Sequence, residues 1–366
     1  MKRLAVFLCF FQLIAGISYA QLSTETYPDG TRKAEGNLVN GVKSGIWYEF
    51  NEKGLKVAEV SYVNGTKEGK AVTWFTNGKK QSEASYHNGQ LNGFAQWWTE
   101  AGKPDMNGKL IDGVHDSTWT FFHPGGSVGS RGNFNNGKQE GKWDYYYESG
   151  GLWKTGNYIN SLKDGTWKFY YEDGKFHHTG AYSSDKETGL WMSWFENGQV
   201  KDSGNYDNGV MTGTWRGWFE NGKPQYIAVY EKGALQGMYQ SWWDNGHKKL
   251  EINYLNGAKD GLSTEYYYDG SLKEKGSYKS GERNGFFVYL DENGLKIKEE
   301  NYVTGHPDGD WVSYYANGRK QGQGTYLNQQ KHGTWIYWDP DGKVVYKGTF
   351  SNGKKIKEKH YGSGKE

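Results

Sequence analysis

Aromatic and apolar residues recur along this chain on a fixed step, not in helical or strictly alternating runs. An aromatic residue or leucine stands at Leu38, Tyr62, Tyr86, Leu110, Phe134, Tyr158, Tyr182, Tyr206, Tyr230, Tyr254, Tyr278, Tyr302, Tyr326 and Phe350, each 24 residues after the last. A step of this size held without one insertion is the mark of a repeat architecture. Numbered from that residue, glycine fills the seventeenth place of every repeat from Gly54 to Gly342, often behind Asn or Asp, as in Asn77-Gly78, Asn221-Gly222 and Asn245-Gly246. Asn-Gly and Asp-Gly tolerate the positive φ angles of a tight type I′ hairpin turn, which is expected there. A second turn opens most repeats, as at Asn40-Gly41, Asn136-Gly137 and Asn208-Gly209, and another glycine follows four residues later (Gly45, Gly141, Gly213).

Between the turns there is room for two short strands. One is aromatic, from about the tenth to the fourteenth place; the other is polar, from about the nineteenth place to the next repeat's first. Turn glycines this frequent exclude helices of useful length. The predicted fold class is all-β: an elongated single-layer or open solenoid-like sheet of tandem 24-residue β-hairpins. Each hairpin stacks on its neighbours because one alone cannot bury its aromatics. Thirteen repeats span 38–349, with a partial N-terminal repeat at 21–37 and a C-terminal partial repeat and polar tail at 350–366.

The aromatics differ by place. The tenth is usually Trp, as at Trp143, Trp167, Trp191, Trp215, Trp311 and Trp335, and the thirteenth is aromatic in all repeats but one, Trp242 among them. Occupancy this regular points to a structural role, the rings stacking on their counterparts in adjacent hairpins. The fourteenth place varies. Tyr147, Tyr171, Phe195, Phe219, Trp243 and Tyr267 fill it in six successive repeats, whereas Asn51, Thr99, His123 and Asp291 fill it elsewhere. A place that accepts Asp and Tyr alike is expected to be partly wet, which makes these six rings the candidate recognition ladder for a peptide edge or a glycan. Strict alternation would put the tenth and fourteenth places on one face, opposite the thirteenth, unless a bulge breaks the parity. Ser161, Asp185 and Gln329, which replace the first-turn glycine, are expected to mark bends or openings.

Composition removes several other classes. The 54 glycines come with only 6 prolines and no three-residue period, which excludes collagen, and 17% aromatic residues exclude a disordered chain. Residues 1–20 read as a secretory signal peptide: Lys2 and Arg3, an apolar run from Leu4 to Ile17, then Ser18-Tyr19-Ala20 before Gln21. The expected location after cleavage is secreted, periplasmic or cell-envelope associated. Cys9, the one cysteine, lies in that segment, so neither disulfides nor thiol chemistry is expected afterwards. Losing Lys2 and Arg3 leaves 42 basic residues against 42 acidic ones, and so no general field to hold nucleic acid. No second apolar stretch approaches membrane length, so no transmembrane segment is expected. Catalytic motifs are missing and the histidines are scattered; the one adjacent pair, His177-His178, would point to opposite faces of a strand. No metal, no cofactor and no enzymatic activity are expected.

The Tyr-x-Asn-Gly motif with its following Gly and Trp, seen at Tyr206, Asn208, Gly209, Gly213 and Trp215, resembles the MORN repeat family (membrane occupation and recognition nexus). The pattern looks most like the bacterial YwqK-type variant, often labelled antitoxin-like, although the step here is slightly longer than usual. The resemblance covers nearly all of the chain after residue 20. It implies a row of β-hairpins that serves as a scaffold or protein-binding module. Together with the export signal, the expected function is an exported, non-catalytic protein–protein recognition or scaffolding module. The alternatives are a cell-envelope glycan-binding module, or an immunity or antitoxin-like partner of an exported toxin.

Overall fold

The computed structural model describes residues 19–362, so the signal-peptide expectation for residues 1–20 lies outside them except for Tyr19 and Ala20. Regular structure among the described residues is all strand, with no helix. The chain divides into two compact units, one ending at Leu162 and the other beginning at Lys163. Within each, strands run antiparallel and pair with their neighbours in sequence.

The repeat beginning at Tyr206 shows the construction. Its outgoing strand is Val210–Trp218 and its return strand is Pro224–Glu231. The outgoing strand therefore covers the fifth to thirteenth places, longer than expected, and the fourteenth lies outside it in the turn. Parity arguments between the tenth and fourteenth places do not apply. Asn208 and Gly209, with φ of 53° and 83°, close a two-residue turn in which Asp207 faces Val210. Both residues are left-handed, as a type I′ turn requires.

The far turn differs from expectation. The Phe219 N–H donates to the Lys223 carbonyl and the Gly222 N–H to the Phe219 carbonyl, both at 2.8 Å. Only Gly222 is left-handed there, with φ of 80°. This is a three-residue loop, a type I turn closed by a left-handed glycine, so the seventeenth-place glycine is obligatory while the Asn before it is free for other work. A third irregularity is Gly213, at φ 66°. The register moves there from Asn205 opposite Thr212 to Ser203 opposite Arg216, which is a bulge.

In each unit the core is one layer on one face of its sheet. The Trp47, Trp119, Trp143, Trp167 and Trp335 side chains are fully buried and Trp215 nearly so, while Trp191 and Trp311 are half-buried. Twelfth-place rings stack between them: Trp97 lies 5.9 Å from Trp119, and Phe121 lies 6.0 Å from Trp119 and 6.3 Å from Trp143. First-place rings meet two tryptophans edge-on, as Tyr206 does with Trp191 at 6.0 Å and Trp215 at 5.2 Å. The thirteenth-place aromatics, Trp242 included, are not in this layer. They sit on the opposite face, mostly half-buried, where Lys56 caps Trp74 at 4.3 Å and Lys80 caps Trp98 at 5.1 Å. The expectation that they stack on one another is thus corrected: the twelfth place, two residues from the tenth and on its face, takes that role.

Most core tryptophans lie on a glycine at the twenty-third place of the preceding return strand, whereas Trp311 faces Glu300. A Cβ at Gly36 would come within 2.6 Å of the Trp47 ring, and one at Gly108, Gly132, Gly180, Gly204 or Gly324 would overlap the ring of Trp119, Trp143, Trp191, Trp215 or Trp335. Where the ring is absent the glycine is absent too: Ala71 faces Val60, and Ser263 faces Ile252. Magnitudes explain the exchange. Glycine inside a strand costs about 0.5–1 kcal/mol, whereas burying some 200 Å² of a tryptophan contributes about 5 kcal/mol. The indole N–H is also satisfied, since Trp143 Nε1 donates to the Asn133 carbonyl at 3.0 Å and Trp119 Nε1 to Lys109 at 2.9 Å.

Ser161, Asp185 and Gln329 open nothing. Their φ values of 68°, 67° and 68° keep the ordinary first turn.

Candidate functional site

The fourteenth-place residues hold neighbouring turns together. Tyr171 Oη donates to the Trp194 carbonyl at 2.7 Å, Tyr267 Oη to Leu290 at 2.8 Å, and Tyr315 Oη to Trp338 at 2.8 Å. Trp243 Nε1 reaches the Tyr266 carbonyl at 3.3 Å in the same manner. Where the place is Asn or Asp, the side chain folds back on its own turn: Asn51 Oδ1 accepts from the Lys53 and Leu55 amides, and Asp291 Oδ1 from Asn293 and Leu295. Tyr and Trp at this place satisfy backbone across repeats and Asn or Asp within the repeat, whereas Phe195 and Phe219 have no side-chain hydrogen-bonding atom. All six ladder residues are half-buried, so each keeps part of its ring in water. Tyr147 lies in the first compact unit, and Tyr171, Phe195, Phe219, Trp243 and Tyr267 in the second.

The Asn before the far-turn glycine makes a second bridge that sequence reasoning missed. Asn221 Oδ1 accepts from the Lys223 N–H at 3.0 Å while Nδ2 donates to the Asp244 carbonyl of the next repeat at 2.8 Å. Asn77, Asn197, Asn245 and Asn317 do the same toward Glu100, Glu220, Tyr268 and Pro340. The signal was present: Asn recurs at a place where only its successor needs a positive φ.

One stretch of this rim opens into a cleft of about 580 Å³ at the Trp242-Trp243 doublet, in the second compact unit. Three changes from the common repeat make room for it. Ser193, Gly217 and Ser241 replace bulky rings at the twelfth place of successive repeats, and Tyr226 leans into the space left over Gly217. Tyr239 stands in for the tenth-place Trp, above Ala228 in place of glycine. Tyr268 occupies a fifteenth place that holds Glu172, Glu196, Glu220 and Asp244 in the four preceding repeats.

The polar groups of the cleft are partly committed. Tyr268 Oη donates to Asp244 Oδ1 at 2.7 Å, and this hydrogen bond to a carboxylate raises the phenol pKa. The Tyr268 ring tilts against Trp243 at 5.8 Å, and the Lys249 ammonium lies 4.3 Å from the Trp243 ring centre. Burial pushes the Tyr226 phenol up to about 12, so it stays protonated. Among the described residues the Gln225 amide makes no hydrogen bond and the Lys249 ammonium no ion pair. Trp242, expected to be scaffold, and Trp243, expected to be ladder, thus line one wall together, with Phe219 beside them.

His177 and His178, expected to point to opposite faces, instead meet ring to ring. Their Nδ1 atoms lie 3.2 Å apart, His178 stacks on Phe169 at 3.9 Å, and burial, then the His177 charge, holds its pKa down to about 4. No group of three or more metal-ligating side chains occurs among the described residues, and no helix there is long and apolar enough to cross a membrane.

The MORN repeat variant family matches residues 67–88, 139–160, 163–175, 187–208, 211–232, 235–256, 259–280, 307–328 and 331–352, more than half of the sequence, and the chain belongs to that family. No curated protein matches it. Among solved structures, the TcdB2-TccC3-Cdc42 complex is 11% identical over 89% of this chain and 20% of its own, with a TM-score of 0.17. The Tc holotoxin pore of Photorhabdus luminescens is 11% identical over 89% of this chain and 22% of its own, with a TM-score of 0.15. The chain therefore spans about a fifth of the length of those solved chains.

Proposed function

We propose that this MORN-repeat chain is an exported, non-catalytic recognition scaffold that holds another protein against the face of the sheet opposite its tryptophan core. The supporting observation is a strip of apolar side chains at the ninth place of three successive repeats: Met238, Leu262 and Phe286, which are 46%, 59% and 51% exposed. Each precedes a core residue by one position and so points away from the core. With one return strand between each pair, they stand about 10 Å apart. Aligned apolar side chains left in water mark interaction surfaces. Export is supported by the character of residues 1–20.

Replacing Met238, Leu262 and Phe286 together with Ser tests the assignment. Capture from envelope extract, quantified by mass spectrometry, should lose a protein that the native chain enriches, with the melting temperature unchanged. Identical captured sets from the two equally stable proteins would refute the docking face.

A further inference from the structure

We infer that the cleft at Trp242-Trp243 is a binding site for an uncharged saccharide. This site is distinct from the Met238 strip and does not depend on a protein partner docking there.

A repeat lattice supplies its own control, because every place has a dozen counterparts. Several uncommon choices meet here: Gly217 and Ser241 are small at a place that carries a ring in six repeats, Tyr239 stands where Trp is usual, and Tyr268 where the four preceding repeats have an acid. Tyr226 leans over Gly217 but does not close the space. Instead a cleft of about 580 Å³ remains, within the range of small-molecule sites.

The chemistry of the wall selects the ligand. Trp243 is fixed by its bond to the Tyr266 carbonyl, and with Trp242 and Tyr268 it offers apolar ring faces. A sugar ring has faces of C–H bonds that pack on such surfaces and a rim of hydroxyls that both donate and accept. The rim finds its complement in Asp244, held by Tyr268 so that Oδ2 is left to accept, in the Gln225 amide, and in the Lys249 ammonium. The cleft is lined by one carboxylate, Asp244, and one ammonium, Lys249, and this balance of charge favours a neutral ligand over a charged one. A peptide that binds by adding a strand is disfavoured, because that mode needs an open sheet edge. The Gly237–Trp242 strand is paired on both sides, with Pro224–Glu231 and with Lys248–Leu255.

The test titrates the full chain with cellotetraose, chitotetraose, laminaritetraose and mannotetraose, reading tryptophan fluorescence and confirming by calorimetry. At least one should bind. Asp244→Asn and Gln225→Ala, both on the rim, should each weaken it by about tenfold, the loss expected of one hydrogen bond to a charged or bound group. Tyr268→Phe, which frees Asp244 without removing the ring, should weaken it less than Tyr268→Ala. Melting curves of the rim variants should match the native one. Absence of binding by all four sugars up to ~10 mM, or binding that both rim variants leave unchanged, would overturn the assignment. So would binding of an unrelated extended peptide at the same site with higher affinity than any sugar.

Discussion

At the scale of single residues, the governing relation is between an indole and the glycine beneath it. Gly132 lies against Trp143, and a methyl group there would overlap the ring. Gly132→Ala should lower unfolding free energy by about 1–3 kcal/mol, the usual cost of overpacking. Trp143→Ala alone should cost about 3–5 kcal/mol. In the Trp143→Ala background the Gly132→Ala change should cost little or help, as at the native Ala84 and Ala95 pair. A double-mutant cycle by urea unfolding measures this coupling; additive costs would mean that the ring does not rest on the glycine.

At the scale of the hairpin, the first turn shows which irregularities are compensated. Ser161 Oγ accepts from the Gln139 N–H at 2.9 Å and Asp185 Oδ1 from the Lys163 N–H at 2.8 Å, so each offsets its left-handed backbone with a hydrogen bond to the preceding repeat. Gln329 has the same φ of 68° and no such bond among the described residues. Gln329→Gly should therefore stabilise by about 1 kcal/mol, whereas Asp185→Gly should gain nothing; paired urea melts decide. The hairpins, their step and the all-β class were legible because glycine and Asn-Gly mark turns through backbone sterics that act locally. The facing of the rings was not. Gly213 and its counterparts were visible, but whether such a glycine closes a turn or inserts a bulge depends on the partner strand. At the fourteenth place the hydrogen bonds were not legible: Tyr171 and Asp291 look unlike as side chains yet both satisfy turn carbonyls or amides. At the cleft, the doublet was conspicuous in the sequence, but Gly217 and Ser241, which create the space beside it, were not.

At the scale of the whole molecule, the repeat is the unit of register. Deleting residues 307–330 joins a fifth place to a sixth and removes one outgoing and one return strand together with the Tyr315–Trp338 and Asn317–Pro340 bridges, leaving the other repeats of the second unit in register. That variant should stay soluble, keep its circular dichroism per residue and melt a few degrees lower. Deleting residues 307–318 joins a fifth place to an eighteenth and should yield aggregated or partly unfolded protein. Equal behaviour of the two deletions would show that the lattice does not count in steps of 24.

The bridges also have a sense of direction. The Asn221 amide and the Tyr267 hydroxyl donate to carbonyls of the repeat that follows, Asp244 and Leu290, while Asn221 Oδ1 serves its own turn. A nascent chain leaves the ribosome N-terminus first, so each hairpin can settle its own turn before its successor exists. It then presents ready-made donors to the next segment as that segment emerges. In each unit synthesis and assembly thus run the same way, every finished hairpin acting as the template for the one behind it.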